Sequence, residues 1–273
     1  MNMDCTYIIP CQIESADRLR NAITTVGYLL AHMPGAKVIV REVNSSPVFR
    51  DMAMPEIAKV APLTNLEYQY DASSEPSFHK TRILNDLIIS AKTDIICSHD
   101  IDVIYPIQSH EMAYRLLKEN QFDVVYPYGC GIYQVRVNYP PEAFQRLIAT
   151  RWDLMSIQDH CSFANSTIGW TQWYRKDAVL AGGAWNENFV AWGCEDNEFY
   201  YRFSALGFRI ARFNAHIWHL EHSRTANSWW NNPRFPDNDK LWQWMREQDK
   251  PTIVSYLQAQ AYIKERGINV RVQ

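Results

Sequence analysis

Four short stretches of this chain carry residues whose types and spacing could do chemistry. In SHDIDVIYP, Asp100 and Asp102 flank one isoleucine just past an apolar run. Residues two apart in a strand face the same side, so two carboxylates there repel unless something positive or solvent intervenes. A divalent cation is one answer; a solvated strand tip is the other. In HIWHLEHSR, His216, His219 and His222 recur every third residue. Neutral imidazole ligates manganese, zinc and similar ions, and a solvated loop is the plain alternative. His219 and His222 need a carboxylate from elsewhere, and Asp102 is the obvious one. Zinc hydrolysis uses the same residue types. Against it, the chain has no HExxH helix, and HLEHS reads as strand or loop.

In AWGCEDNEF, Trp192 and Gly193 precede two adjacent acids, Glu195 and Asp196, with Cys194 between. An aromatic ring stacks on the apolar face of a sugar, and a neighbouring carboxylate accepts a hydroxyl proton. A helix N-terminus, where the dipole favours acids, also explains such a pair, though not equally for both acids. In PSFHKTRILND, Phe78 precedes His79, Lys80 and Arg82. The ring suits a nucleobase and the cations suit phosphates. A basic first helical turn opposes the helix dipole, which favours a functional reason for it.

The elements that must position these residues alternate along the first half. CTYIIP reads as a buried strand ended by Pro10, and ESADRLRNAITTVGYLLAHM as a helix capped by Ser15. AKVIVREV, NLEYQYDA, TDIICSHD and FDVVYPY read as strands, with helices in HKTRILNDLIISAK and over 109–118. Strands this apolar, separated by helices, predict a mainly parallel sheet covered on both faces. Such sheets bind ligands at the carboxyl ends of their strands, where Asp100 and Asp102 fall. The second half is less regular. STIGWTQWYRKDAVLAGGAW reads as a strand, a short helix and a Gly-Gly turn, EDNEFYYRFSALGFRI as a helix closed by Gly207, and FRIARFNAHIWHLEHS as strand and loop. The tail from Pro236 is helical in pattern; it could cover the core, form an oligomer contact or rest near a membrane surface.

Composition narrows the class. The chain has 273 residues, enough for one large domain, with 47% hydrophobic and 21% charged residues. A net charge of −3 gives no global attraction to nucleic acid or an anionic membrane. The 10 Trp, 15 Tyr and 11 Phe suit sugar and base stacking but mostly fill a core. Six cysteines with no CxxC pair read as reduced and mostly structural, as in a cytosolic protein. No run reaches the roughly 18 apolar residues of a membrane span, and no secretory leader is legible.

Taken together and in order, the stretches resemble the GT-A glycosyltransferases, above all the beta-1,4-galactosyltransferase type and related bacterial polysaccharide transferases. FHKTRILN is similar to that family's FNRxKLLN, SHDIDVIYP to its HDVDLLP, GGAWNENFVAWGCEDNEFYYRF to its GGFxNxxxGWGGEDDDxxxR, and HLEHSR to its MxRHSR. The matching runs span residues 10–224. The resemblance implies an α/β GT-A fold: a mainly parallel central sheet flanked by helices, with a helical C-terminal tail. It implies one catalytic domain over 1–235, with a nucleotide-sugar half to about 106 and an acceptor half over 107–235, then an extension over 236–273. Asp102, His219 and His222 would ligate manganese or another divalent cation such as magnesium, His219 standing where the family has methionine. Imidazole there should hold a hard ion more firmly than a thioether. Pro10, Glu42, Phe78, Lys80, Arg82 and Asp100 would bind the donor, Trp192 and Glu195 the acceptor, and Asp196 would be the catalytic base.

The activity so implied is inverting transfer from a nucleotide sugar, UDP-linked by expectation, to a carbohydrate or lipid-linked saccharide, in bacterial surface polysaccharide synthesis. The expected place is cytoplasmic, with peripheral attachment to the inner membrane face left open along with the oligomeric state. Nucleic acid is not an expected partner. Cys194 replaces a family glycine and Asn197 an aspartate, so acceptor identity does not carry over. A retaining GT-A transferase, a metal-dependent nucleotide-sugar hydrolase and a non-catalytic carbohydrate binder are the rival readings.

Overall fold

The computed structural model describes residues 2–272 except 76, 139, 164–167 and 229–230. The chain begins β1 (Thr6–Cys11), α1 (Ala16–His32), β2 (Lys37–Asn44), α2 (Met54–Ile57), β3 (Leu66–Ala72), α3 (Lys80–Ser90) and β4 (Ile95–His99). It continues β5 (Val103–Ile104), α4 (Ile107–Lys118), β6 (Val124–Tyr126), β7 (Gln134–Val137), α5 (Pro141–Ala149) and β8 (Cys161–Phe163). Then come β9 (Thr171–Arg175), α6 (Lys176–Ala181), α7 (Glu195–Ala205), β10 (Ile210–Arg212) and β11 (Ile217–Leu220). Helices α8 (Phe235–Met245), α9 (Lys250–Ala259) and α10 (Ala261–Glu265) close the chain.

Seven strands form the main sheet in the order β10-β6-β9-β4-β1-β2-β3. Every pair is parallel except those made by β9, which runs antiparallel to β4 and β6. The predicted continuous apolar strands have a simple cause. In β1, Tyr7 and Ile9 pack with Val26 and Leu29 of α1, while Ile8 faces Leu84 and Leu87 of α3. Both faces are covered, so neither parity of the strand is free to be polar. Ser15 caps α1 as its sequence predicts, accepting from the Arg18 backbone N–H. The C-terminal helices belong to the same core: Met245, Ile253, Leu257, Tyr262 and Ile263 pack with Phe199, Phe203 and Trp185.

The structure refines two expectations and adds one element. Pro10 does not end its strand, since β1 runs on to Cys11. The β1–β4 pairing stops at Ile8–Ser98, so beyond it one edge of β1 is open and a missing N–H is tolerated. The strand expected within STIGWTQWYRKDAVLAGGAW begins at Thr171; positions 166 and 167 lie outside the described residues. A second sheet, ordered β5-β11-β7-β8, was not legible at all. It is this sheet that carries His219, with His216 just before and His222 just after the same strand.

Candidate active site

An open cleft lies where the parallel strands end. It is lined by Pro10 and Cys11 from β1, Lys80 from α3, the Asp100–Asp102 turn after β4, Gly169 and Trp170 before β9, the 191–196 turn, and the segment after β11. The second sheet brings distant residues together here. Val103 pairs antiparallel with His219, and Arg136 pairs with His219 from the other side. The Leu220 N–H donates to the Asp102 carbonyl at 2.7 Å, which sets the acid-bearing turn beside the histidine-bearing strand.

Asp102, His219 and His222 each present a ligand atom, all within 4.8 Å of one another. His222 Nε2 lies 3.1 Å from Asp102 Oδ2, and His219 Nε2 lies 3.8 Å from Asp102 Oδ1. The opposite nitrogens face acceptors only. His222 Nδ1 is 2.9 Å from the Ser223 carbonyl, and His219 Nδ1 is 3.1 Å from Glu221 Oε1. With the ring protons on Nδ1, the two Nε2 atoms and an Asp102 oxygen would offer three lone pairs toward one point, the donor set that a divalent cation takes. Burial alone would raise the Asp102 carboxyl; positive charge beside it, on protonated imidazoles with Arg18 or on an ion taking the imidazole protons' place, holds it well below the usual carboxylate range. These residues fit a divalent ion. His216 stands apart, edge-on to Tyr133 and tilted against Trp218.

Helix α1 grips the histidine segment from behind. Asp17 Oδ2 accepts both the backbone N–H and the hydroxyl of Ser223 at 2.6 Å, and Asn21 Nδ2 donates to the Leu220 carbonyl at 2.7 Å. Arg18, also from α1, lines the cleft and donates to Ser228 Oγ at 3.0 Å.

The other wall is acidic around one ammonium. Lys80 Nζ is 2.9 Å from Asp100 Oδ1 and 3.8 Å from Glu195 Oε1. Burial works against the charge on Lys80, yet Asp100, Asp196 and Glu195 outweigh it and raise its pKa. So the basic first turn of α3, unfavourable by dipole, is explained by carboxylates from two other elements. Burial raises the Asp100 carboxyl; Asp102 and Glu195 add to this and Lys80 opposes it. Burial likewise pushes Asp196 up to about 8, with Glu195 and Asp100 adding to the shift and Lys80 opposing it. His99, next to this turn, is buried, and its pKa is pushed down to about 4, so it serves as a neutral core residue bonded to the Asp100 carbonyl.

The two acids of α7 take different places. Glu195 Oε2 accepts the Gly193 N–H at 3.0 Å, closing the turn that starts the helix. Asp196 turns inward, where Gln172 Nε2 donates to its Oδ1 at 3.1 Å. Gly169 makes room for it: a Cβ there would lie 2.5 Å from Asp196 Oδ2. Trp170 follows in left-handed backbone, φ 76°, a conformation a bulky residue rarely holds without a reason. Its carbonyl accepts the Asp100 N–H at 2.9 Å, and its ring stacks on His219 at 5.2 Å. Trp170 thus touches both walls.

Trp192 is 41% exposed at the cleft mouth, backed by Phe235 at 5.6 Å. Asn227 joins three loops there: its Oδ1 accepts the Phe78 N–H at 2.7 Å, its Nδ2 donates to Gln12 at 2.8 Å, and its carbonyl accepts the Trp192 N–H at 3.3 Å.

Most of the expected site residues meet in this cleft: Pro10, Phe78, Lys80, Asp100, Asp102, Trp192, Glu195, Asp196, His219 and His222. Two expected donor contacts stand elsewhere. Glu42 is fully buried, and its carboxylate accepts the Phe49 N–H and the Tyr68 hydroxyl. Arg82 is exposed and lines no part of the cleft, because two residues along a helix turn about 200° away from Lys80. Arg18, Trp170, Gln172 and Asn227 escaped the sequence reading, since each is a lone residue in no recognisable motif; Glu221 stood inside HLEHSR but was given no role there.

Residues 159–225 match the family described as the N-terminal domain of galactosyltransferase, a stretch that holds Trp192, Glu195, Asp196, His219 and His222. No curated protein matches the chain in sequence. Among solved structures, the chain resembles mannosyltransferase PcManGT from Pyrobaculum calidifontis in complex with GDP-Man and Mn2+. That likeness has 15% identity and a TM-score of 0.56, covering 96% of this chain and 70% of that one. TarS 1-349 from S. aureus in complex with UDP-GlcNAc is similar at 16% identity with a TM-score of 0.58, covering 97% of this chain and 72% of the other. The fold is that of the GT-A glycosyltransferases, as the sequence resemblance implied. Among the described residues, no helix is long and apolar enough to cross a membrane.

Proposed function

We propose that this GT-A chain is a metal-dependent, inverting glycosyltransferase that moves a sugar from a nucleotide sugar, UDP-linked in our reading, to a carbohydrate or glycolipid acceptor. The observation that carries the reading is one cleft with a three-ligand cluster on one wall and a raised carboxyl, Asp196, on the other. The similar PcManGT structure contains GDP-Man and Mn2+, and the TarS structure contains UDP-GlcNAc, which supports a nucleotide-sugar donor. A place in bacterial surface polysaccharide synthesis, on the cytoplasmic side, rests on the sequence resemblance.

Each residue has a job in this reading. Asp102, His219 and His222 hold a divalent cation, manganese or magnesium, whose charge offsets that of a departing diphosphate. Pro10 and Phe78 border the nucleoside end of the donor. Asp100 accepts from hydroxyls of the donor while Lys80 balances its charge. Trp192 offers its exposed face to an acceptor sugar, and Glu195 accepts from an acceptor hydroxyl. Asp196 takes the proton of the attacking hydroxyl as the new bond forms at the anomeric carbon. Gln172 fixes one of its oxygens and Gly169 leaves the other uncrowded.

The experiment is turnover of a panel of nucleotide sugars with Mn2+ and saccharide acceptors, with the product anomer read by NMR. An inverted anomer is expected; a retained one overturns the inverting assignment. Donor consumption that no acceptor accelerates makes the protein a hydrolase instead. In the same assay His222→Ala should raise the Mn2+ needed for half-maximal rate by at least about tenfold. An unchanged Mn2+ requirement takes His222 out of the site.

The pH dependence follows from Asp196. Only its deprotonated form accepts a proton, and that fraction grows as pH rises through a pKa of about 8. So kcat/KM should climb with pH to a plateau, with the midpoint of its acid limb close to about 8. A profile flat from pH 6 to 9 is incompatible with Asp196 as the base.

A further inference from the structure

His219 and Glu221 are two departures from one motif: HLEHSR stands where the resembled family has MxRHSR. In the fold they touch. His219 Nδ1 lies 3.1 Å from Glu221 Oε1. Glu221 is itself anchored, by Arg224 Nη2 at 3.0 Å on one oxygen and Arg136 Nε at 3.5 Å on the other. Arg136 reaches it because β7 pairs with β11 in a register that sets Arg136 opposite His219. The imidazole is also fixed in plane, stacked on Trp170 at 5.2 Å and 27°.

An imidazole differs from a thioether in one respect that matters here. A thioether sulfur is always an acceptor, whereas an imidazole nitrogen is an acceptor only in one of two tautomers. If Nε2 carried the hydrogen, His219 would point a donor at Asp102 and have no lone pair for a cation. Arginine at position 221 would favour that wrong tautomer, because a guanidinium offers no acceptor to an Nδ1–H. A carboxylate at 221 favours the right one. The two departures therefore make chemical sense only together.

We propose that Glu221 is a positioning residue that locks His219 in its Nδ1–H tautomer, so that Nε2 completes a divalent-cation site with Asp102 and His222. The inference rests on the metal-dependent reading given above. Glu221 does not itself reach the ion; it acts through the ring, as carboxylate partners of metal-bound histidines do. Arg136 and Arg224 hold the carboxylate at the ring edge and keep it from swinging into the cluster as a fourth ligand.

The test needs no turnover. Mn2+ is titrated into the metal-stripped full chain, and the free ion is read by electron paramagnetic resonance. Glu221→Ala should weaken Mn2+ binding by about 10- to 100-fold. Glu221→Gln, whose amide oxygen still accepts from Nδ1–H, should recover most of that loss. In a His219→Met background Glu221→Ala should change Mn2+ affinity little, because a thioether has no tautomer to fix. A merely structural role for Glu221 would weaken binding equally in both backgrounds, and that result overturns the proposal, as does an unchanged affinity for Glu221→Ala beside normal binding by the parent. If the parent protein binds no Mn2+ at all, the metal-dependent reading fails first and this inference with it.

Discussion

Asp196→Asn lowers turnover by about a hundred- to ten-thousand-fold, the range general-base removal produces, while the protein melts no lower than its parent. Both halves of this result follow from one environment. Asn keeps the shape and still accepts from Gln172 Nε2, which now bonds Asp196 Oδ1 at 3.1 Å. It also removes a carboxyl crowded by Glu195 and Asp100 and desolvated enough to sit at about 8. Folding should lose little when a neutral amide replaces an acid whose ionisation burial and the neighbouring carboxylates already oppose. In the proposed mechanism, catalysis loses its acceptor of the substrate proton. The measurement is kcat at saturating donor and acceptor, with nucleotide-sugar affinity and melting temperature as controls. Near-parental kcat would sink the assignment, and a collapsed melting temperature would show that Asp196 serves the fold instead.

The largest effect on stability is expected at the other end of the same helix. Arg202 and Glu198 are buried completely and paired, Nε to Oε1 at 2.7 Å and Nη2 to Oε2 at 3.1 Å. The guanidinium also donates to the Gly182 and Ala184 carbonyls, holding the left-handed Gly183–Ala184 turn against α7. Phe199 and Phe203 close over it at 5.8 and 5.1 Å. Removing one partner of such a pair leaves a charge with no water to solvate it. Glu198→Ala should therefore cost about 3–5 kcal/mol, a fall in melting temperature on the order of 10 °C for a chain of this size. Arg202→Lys should fare nearly as badly, since an ammonium cannot fork to a carboxylate and two carbonyls at once. Thermal and urea unfolding check this, and a melting point within about 2 °C of the parent for Glu198→Ala would refute it.

What could be read beforehand divides by range. Local signals were legible: Ser15 capping α1, the doubly covered strands β1, β2 and β4, and the acids at the start of α7. The chemistry-bearing stretches were legible too, because each packs several unusual residues into a few positions. The second sheet was not. Strand β5 is two residues long and β11 four, too short for any alternation to declare itself, and their pairing joins Val103 to His219. Glu42 stood as a donor contact only through the resemblance, whereas in the fold its carboxylate is used on the Phe49 N–H and the Tyr68 hydroxyl. Gln172, Trp170 and Asn227 act through where their strands and loops end, which a linear string does not express.

The ladder between Val103 and His219 has a bearing on how the molecule comes to be. The two strands are far apart in the chain, and closing so long a loop costs entropy that nearby pairings do not. Contacts of that kind form late, after the local β-α-β units have condensed. A nascent or half-folded chain carries the imidazoles and the carboxylate but not the edge that sets them side by side. In the proposed reading, the capacity to hold an ion would therefore arise only once this late ladder has closed.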